Sequence, residues 1–174
     1  MIESTNVYLY KMMKLLLRQF FQGFANDPDL FSDMNHFTAY TYSETAVNER
    51  WERQRQLGRI HLAVMLEQEP IGEVILKNLD SEKGYCTLSI HMKNNSVKNR
   101  GFGTQAEILA LEYAFVSLGM ETVFADAVQK NKRSQHVLEK VGFQKIREDM
   151  QFVYYRCEKE TWGGLHSDTQ VSKV

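Results

Sequence analysis

Apolar positions along the chain repeat with two periods, one of two residues and one near three and a half. Between residues 6 and 11, Val7 and Leu9 alternate with Tyr8 and Tyr10, as in a half-buried strand. Residues 14–24 then place Leu16, Leu17, Phe20, Phe21 and Phe24 along one helical face. Gly23 and Asn26 close that helix, and Pro28 opens a short turn. Ser43 reads as the N-cap of a second helix carrying Val47 and Trp51, which Gly58 stops. Three strands follow at 59–66, 71–79 and 86–92, joined by two polar turns into an antiparallel meander. Ile108, Leu111, Phe115 and Leu118 mark a helix over 104–118 that Gly119 ends. The β-branched and aromatic run 122–128 is expected to lie parallel to 86–92, completing a β-loop-α-β unit. A short helix over 132–141 stops at Gly142, and 143–147 with 152–156 form a last hairpin. Periodicity then fades, so the chain reads as one domain over 1–158 and a tail over 159–174.

The connection Val97-Lys98-Asn99-Arg100-Gly101-Phe102-Gly103-Thr104-Gln105 joins a strand to a helix N-terminus. Unpaired N–H groups and the positive end of the helix dipole make such a place a seat for phosphate oxygens. Glycines let the phosphate approach the main chain. Gly101-Phe102-Gly103 followed by Ala106 also satisfies a dinucleotide-binding fingerprint, but Lys93 to Arg100 separate it from its strand. No Gly-Lys-Ser/Thr follows, which excludes a Walker loop. As a bland alternative, the glycines only close a tight turn.

The next 40 residues add a second motif. Lys98-Asn99-Arg100-Gly101-Phe102-Gly103 resembles the Q/R-x-x-G-x-G/A pyrophosphate loop of the GNAT N-acetyltransferases. Asn131-Lys132-Arg133-Ser134, followed by Glu139-Lys140-Val141-Gly142-Phe143, resembles that family's N-x-x-(A/S) and E-K-x-G-F motif. Ser134, with Leu138 where most members carry Tyr, is similar to the branch that acetylates ribosomal-protein N-termini and small amines. The resemblance implies a single α/β domain: a mixed sheet of about six to seven strands with a splayed parallel pair, flanked by about four helices. It implies acetyl-CoA as cosubstrate and an amine as acceptor, whether a protein N-terminus, a lysine or a small cationic amine. Members often dimerise.

Composition narrows the partners. A formal net charge of -1 argues against a general nucleic-acid binder. Cys86 and Cys157 stand alone without metal-ligand spacing and read as reduced thiols of a cytoplasmic protein. No metal site, signal peptide or membrane-length apolar run is visible. Between Gln19 and Glu49 there is no Lys or Arg, while Asp27, Asp29, Asp33, Glu44 and Glu49 lie among Phe31, Phe37, Tyr40 and Tyr42. Such a segment is either an attractor for a cationic amine or a solvated surface with a few core aromatics.

The resemblance also assigns residues. Ile90, His91 and Met92 would pair with pantetheine, and the N–H groups of Lys98, Asn99, Arg100, Gly101, Phe102, Gly103 and Thr104 would seat the pyrophosphate. Lys98 and Arg100 would add charge, Lys98 without the planar fork of Arg. Asn131 matches the position that bonds the pantetheine arm, and an N-cap is its ordinary alternative. Ser134 matches a position near the thioester sulfur, where a hydroxyl would protonate the leaving thiolate; a helix-surface hydroxyl of no consequence is its alternative. Relatives often carry a glutamate general base where this chain has Thr87. Glu73 and His91 are the substitutes, His91 having the better intrinsic range for accepting a proton near neutrality, and a water relay to a distant carboxylate is a third route. A non-catalytic CoA-binding module and a nucleotide-dependent oxidoreductase are the competing functions.

Overall fold

The computed structural model describes residues 6–30 and 34–166. Seven strands, β1 (Tyr8–Lys11), β2 (Ile60–Leu66), β3 (Glu69–Asp80), β4 (Tyr85–Met92), β5 (Thr122–Val128), β6 (Gln144–Glu148) and β7 (Phe152–Glu158), form one sheet in the order β1-β2-β3-β4-β5-β7-β6. All neighbours run antiparallel except β4 and β5. The meander and the parallel crossover expected from alternation are both present.

Helices cover the sheet on two sides. α1 (Lys14–Gln22) and α2 (Glu44–Gln56) bury Leu17, Phe20, Phe21 and Val47 against Ala63 and Met65 of β2. Ser43 caps α2 by accepting a bond from the Ala46 N–H at 3.2 Å. On the other face lie α3 (Phe102–Glu112) and α4 (Lys132–Lys140), packed on Val64, Val74, Leu76, Leu88 and Val123. α3 does not run to Leu118 as a regular helix. It widens over Tyr113–Ser117 into a π-type turn that keeps Ala114 and Phe115 buried.

β2 is covered on both faces, so His61, Ala63 and Met65 are as buried as Leu62 and Val64. The segment expected to start a tail instead forms α5 (Lys159–His166), and Trp162 is only 8% exposed, packed on Phe115 at a ring distance of 5.4 Å. A large aromatic surface with a mate on α3 is reason enough for the chain to order there. Residues 167–174, together with Phe31 and Asp33 of the acidic stretch, lie outside the described residues. Among the described residues no helix is long and apolar enough to cross a membrane.

Candidate active site

The parallel pair comes apart. β4 and β5 share the register pairs Tyr85 with Thr122 through Leu88 with Ala125. Beyond these, Ser89 to Met92 pair only with β3, and Asp126 to Val128 only with β7. The sheet therefore has a V-shaped opening, with unpaired backbone groups along both of its inner edges.

The glycine loop sits at the end of the β4 arm. Gly101 adopts φ +82°, a left-handed conformation that a side chain resists. The first helical bond of α3 is donated by Gln105 to the Gly101 carbonyl at 3.0 Å, so the Phe102, Gly103 and Thr104 N–H groups precede it. A Cβ placed on Gly101 or Gly103 would meet nothing within 4 Å. This is an open cradle with amide donors at its floor, a fit for the diphosphate of a coenzyme A.

The two cations of the loop differ. Arg100 is exposed and lies over the Phe102 ring at 4.8 Å. Lys98 is turned inward, its Nζ 3.1 Å from Asp27 Oδ2, with both side chains largely buried. Arg133 of α4 approaches the same oxygen at 3.9 Å. Burial raises the Asp27 pKa, but the hydrogen bond from Lys98 and the nearby positive charges outweigh it and hold the carboxyl below its ordinary range. The loop is further stitched to the end of α1 by Ala25 N–H to Lys93 carbonyl and by Asn94 Nδ2 to Gly23 carbonyl, at 2.9 and 2.8 Å.

Across the V, Asn131 caps α4 by accepting the Ser134 N–H at 3.1 Å. Ser134 is half-buried in the first turn, and Leu138 is a core residue at 3% exposure.

On the β4 arm, facing the α1 and α2 side, His91 and Glu73 meet. They are register partners of β4 and β3. His91 Nδ1 lies 3.0 Å from Glu73 Oε1, and the His91 side chain is 53% exposed. Glu73 is 1% exposed and also engages His61 Nε2 at 2.7 Å and the Arg50 guanidinium. Burial pushes the Glu73 pKa up, and the hydrogen bonds from His61 and His91 with the charge of Arg50 more than reverse it, leaving a carboxylate well below the usual range. Such a group is a permanent acceptor, not a proton carrier. Facing a carboxylate, which can only accept, His91 Nδ1 is the donor of their bond.

His61 and Arg50 were not among the residues singled out from sequence. His61 lies in the run His61-Leu62-Ala63-Val64-Met65, whose lack of polar alternation was a sign of burial on both faces. Arg50 falls between Val47 and Gln54, which α2 turns inward.

Other chemistry recedes. Cys86 and Cys157 are free and buried, and burial pushes their thiols up to about 11 and about 12, Cys157 with help from Glu158. Neither is a thiolate suited to a covalent acyl intermediate. Part of the acidic segment is committed: Asp27 to Lys98, Glu44 to Arg18 at 2.7 Å, and Tyr40 to ring contacts with Phe21 and Phe24. No group of three potential metal ligands occurs among the described residues.

Comparison with known proteins agrees with this geometry. The family described as Acetyltransferase (GNAT) domain matches residues 7–144. "Putative ribosomal N-acetyltransferase YdaF" of Bacillus subtilis (strain 168) is 28% identical over 146 residues, 78% of this chain and 79% of that protein. Among solved structures, apo FdhC, a nucleotide-linked sugar GNAT, superposes with a TM-score of 0.76 at 19% identity, covering 94% of this chain and 92% of its own. The spermidine N-acetyltransferase of Vibrio cholerae, solved with CoA and spermine, gives 0.72 at 16% identity, with 91% and 99% covered. The opened strand pair, the glycine cradle and the family match over most of its length place this chain in the GNAT family, as an acyl-CoA-dependent N-acetyltransferase.

Proposed function

We propose that the protein transfers acetyl from acetyl-CoA to a primary amine by direct attack, with His91 as the base. The observation that carries this reading is the His91–Glu73 hydrogen bond at the mouth of the V. Acetyl-CoA, when bound, supplies the thioester. The N–H groups of Phe102, Gly103 and Thr104, with Arg100 beside them, hold its diphosphate, while Ile90 to Met92 and the Asn131 amide flank the pantetheine arm.

The acceptor arrives mostly protonated, since an alkylamine has a pKa near 10. His91 Nε2 takes its proton, and Glu73, kept ionised by Arg50 and His61, stabilises the imidazolium that forms. The amine lone pair then forms the C–N bond, the C–S bond breaks, and the sulfur leaves as thiolate. Ser134, at the start of α4 across the V, is the hydroxyl that hands it a proton and takes in exchange the second proton that the nitrogen sheds on becoming an amide. Most of the acceleration comes from holding the amine against the carbonyl.

The test is free-thiol release from acetyl-CoA with a panel of amines. His91→Ala is expected to lower kcat by about 100-fold or more with CoA affinity unchanged. Full activity in that variant would remove His91 from the mechanism. CoA binding in calorimetry without thiol release from any amine would instead favour a non-catalytic CoA-binding module.

A further inference from the structure

α1 and α2 pack on the sheet face that carries Glu73 over β2 and β3. Further along, the same face over β3 to β7 is left as a groove of about 390 Å3, whose lining includes Lys77, Thr87, Phe124, Asp126, Arg147 and Tyr154. Its position is set by register. Lys77, Thr87 and Phe124 form one row across β3, β4 and β5. Asp126, Tyr154 and Arg147 form the next row, across β5, β7 and β6.

Asp126 is the first residue of β5 beyond the last pair with β4, so it stands at the vertex of the V. A thioester arm seated on the α3 N-terminus and passing through the V emerges on this face. His91 lies on the β4 side of that exit and Asp126 on the β5 side. Asp126 is exposed, and its carboxylate has no hydrogen bond or ion pair to any described residue. Lys77, half-buried at the opposite end of the groove, likewise has none. Arg147 lies flat on Tyr154 at 3.4 Å and reaches Asp149 at 3.8 Å, adding positive charge on the far side.

We infer that the groove is the acceptor subsite and that it selects a small zwitterion: an amine whose ammonium docks on Asp126 and whose carboxylate reaches Lys77. Two strand spacings and a two-residue offset put the Cα atoms of Asp126 and Lys77 about 12 Å apart. Allowing for side-chain length, an extended di- or tripeptide fills that span. A linear polyamine fits poorly, because its second cation would meet Lys77 and Arg147. Asp126 binds the incoming ammonium, and His91 removes its proton. This inference rests on the acetyl-transfer reading and narrows it to one acceptor class.

The experiment compares triglycine, its C-terminal amide and spermidine as acceptors, by thiol release from acetyl-CoA with calorimetry of CoA alone. Triglycine is expected to exceed the amide in kcat/KM by about tenfold, one charge contact's worth. Lys77→Met should bring that ratio close to unity without altering CoA binding, and Asp126→Asn should raise KM for both peptides. Equal rates for acid and amide, a preference for spermidine, a ratio that survives Lys77→Met, or no peptide acetylation at all would overturn the assignment. Absence of CoA binding together with absence of release from every amine would overturn the acetyl-transfer reading beneath it.

Discussion

Asp27 closes on Lys98 across 71 residues of sequence, the two charges meeting at 3.1 Å beside the glycine loop. The lysine at the motif's first position is thus a strut joining the loop to the end of α1. Arg100 is left exposed over the Phe102 ring, where a bound diphosphate would meet it. Lys98→Met is therefore expected to lower thermal stability, and Arg100→Ala to weaken CoA with little effect on stability. Removing one partner of a mostly buried pair costs about 3 kcal/mol. Melting curves and CoA calorimetry on both variants check this; a Lys98→Met protein of normal stability that has lost CoA binding would reverse the roles.

The two loop glycines should fail differently. Gly101→Ala puts a side chain at φ +82° and is expected to cost about 1–2 kcal/mol in folding. At Gly103 the backbone is helical and the space open, so Gly103→Val should fold but occupy the cradle. Its readout is a CoA affinity at least about tenfold weaker with a melting temperature near that of the parent.

Glu107 gives the pH dependence. It is 2% exposed on α3, its Oε2 has no partner among the described residues, and burial pushes its pKa up to about 8. The folded state then binds a proton that the unfolded state releases near pH 4.5. Stability should be unaffected by this group below that value and should fall as pH rises from there to about 8, by up to about 1.4 kcal/mol per unit. Glu107→Gln should flatten the melting temperature between pH 5 and pH 8 if this carboxyl governs the slope.

Trp162 extends the core past the last strand. Trp162→Ala is expected to destabilise the fold by about 3–5 kcal/mol, the cost of emptying a buried aromatic site. Truncation after Glu158 should do at least as much, and urea denaturation measures both. An unchanged midpoint for either would return α5 to the status of a dispensable tail.

Strands and helices were legible in the sequence wherever one face meets water, because burial on one side writes an alternating or helical pattern. β4, β5 and α1 are examples. Burial on both sides erases the pattern, so nothing in the alternation of β2 marked His61 as the partner of Glu73. A single aromatic in a polar stretch carries no period either, and Trp162 was missed for that reason. The glycine turn into α3 could be read because its signal lies within seven residues. Pairings such as Asp27 with Lys98, or Arg50 with Glu73, join residues far apart in the chain and left no local trace.

The four-residue seam between β4 and β5, extended by the Gly84 carbonyl that accepts from the Glu121 and Thr122 N–H groups, joins one half of the sheet to the other. A linear molecule lying in the V would act as a substitute strand, lengthening that seam and tightening the grip between the halves. Occupancy by cosubstrate and rigidity of the molecule therefore rise together, and the amides of Ser89 to Met92 and Asp126 to Val128 are where slowed hydrogen exchange would register it.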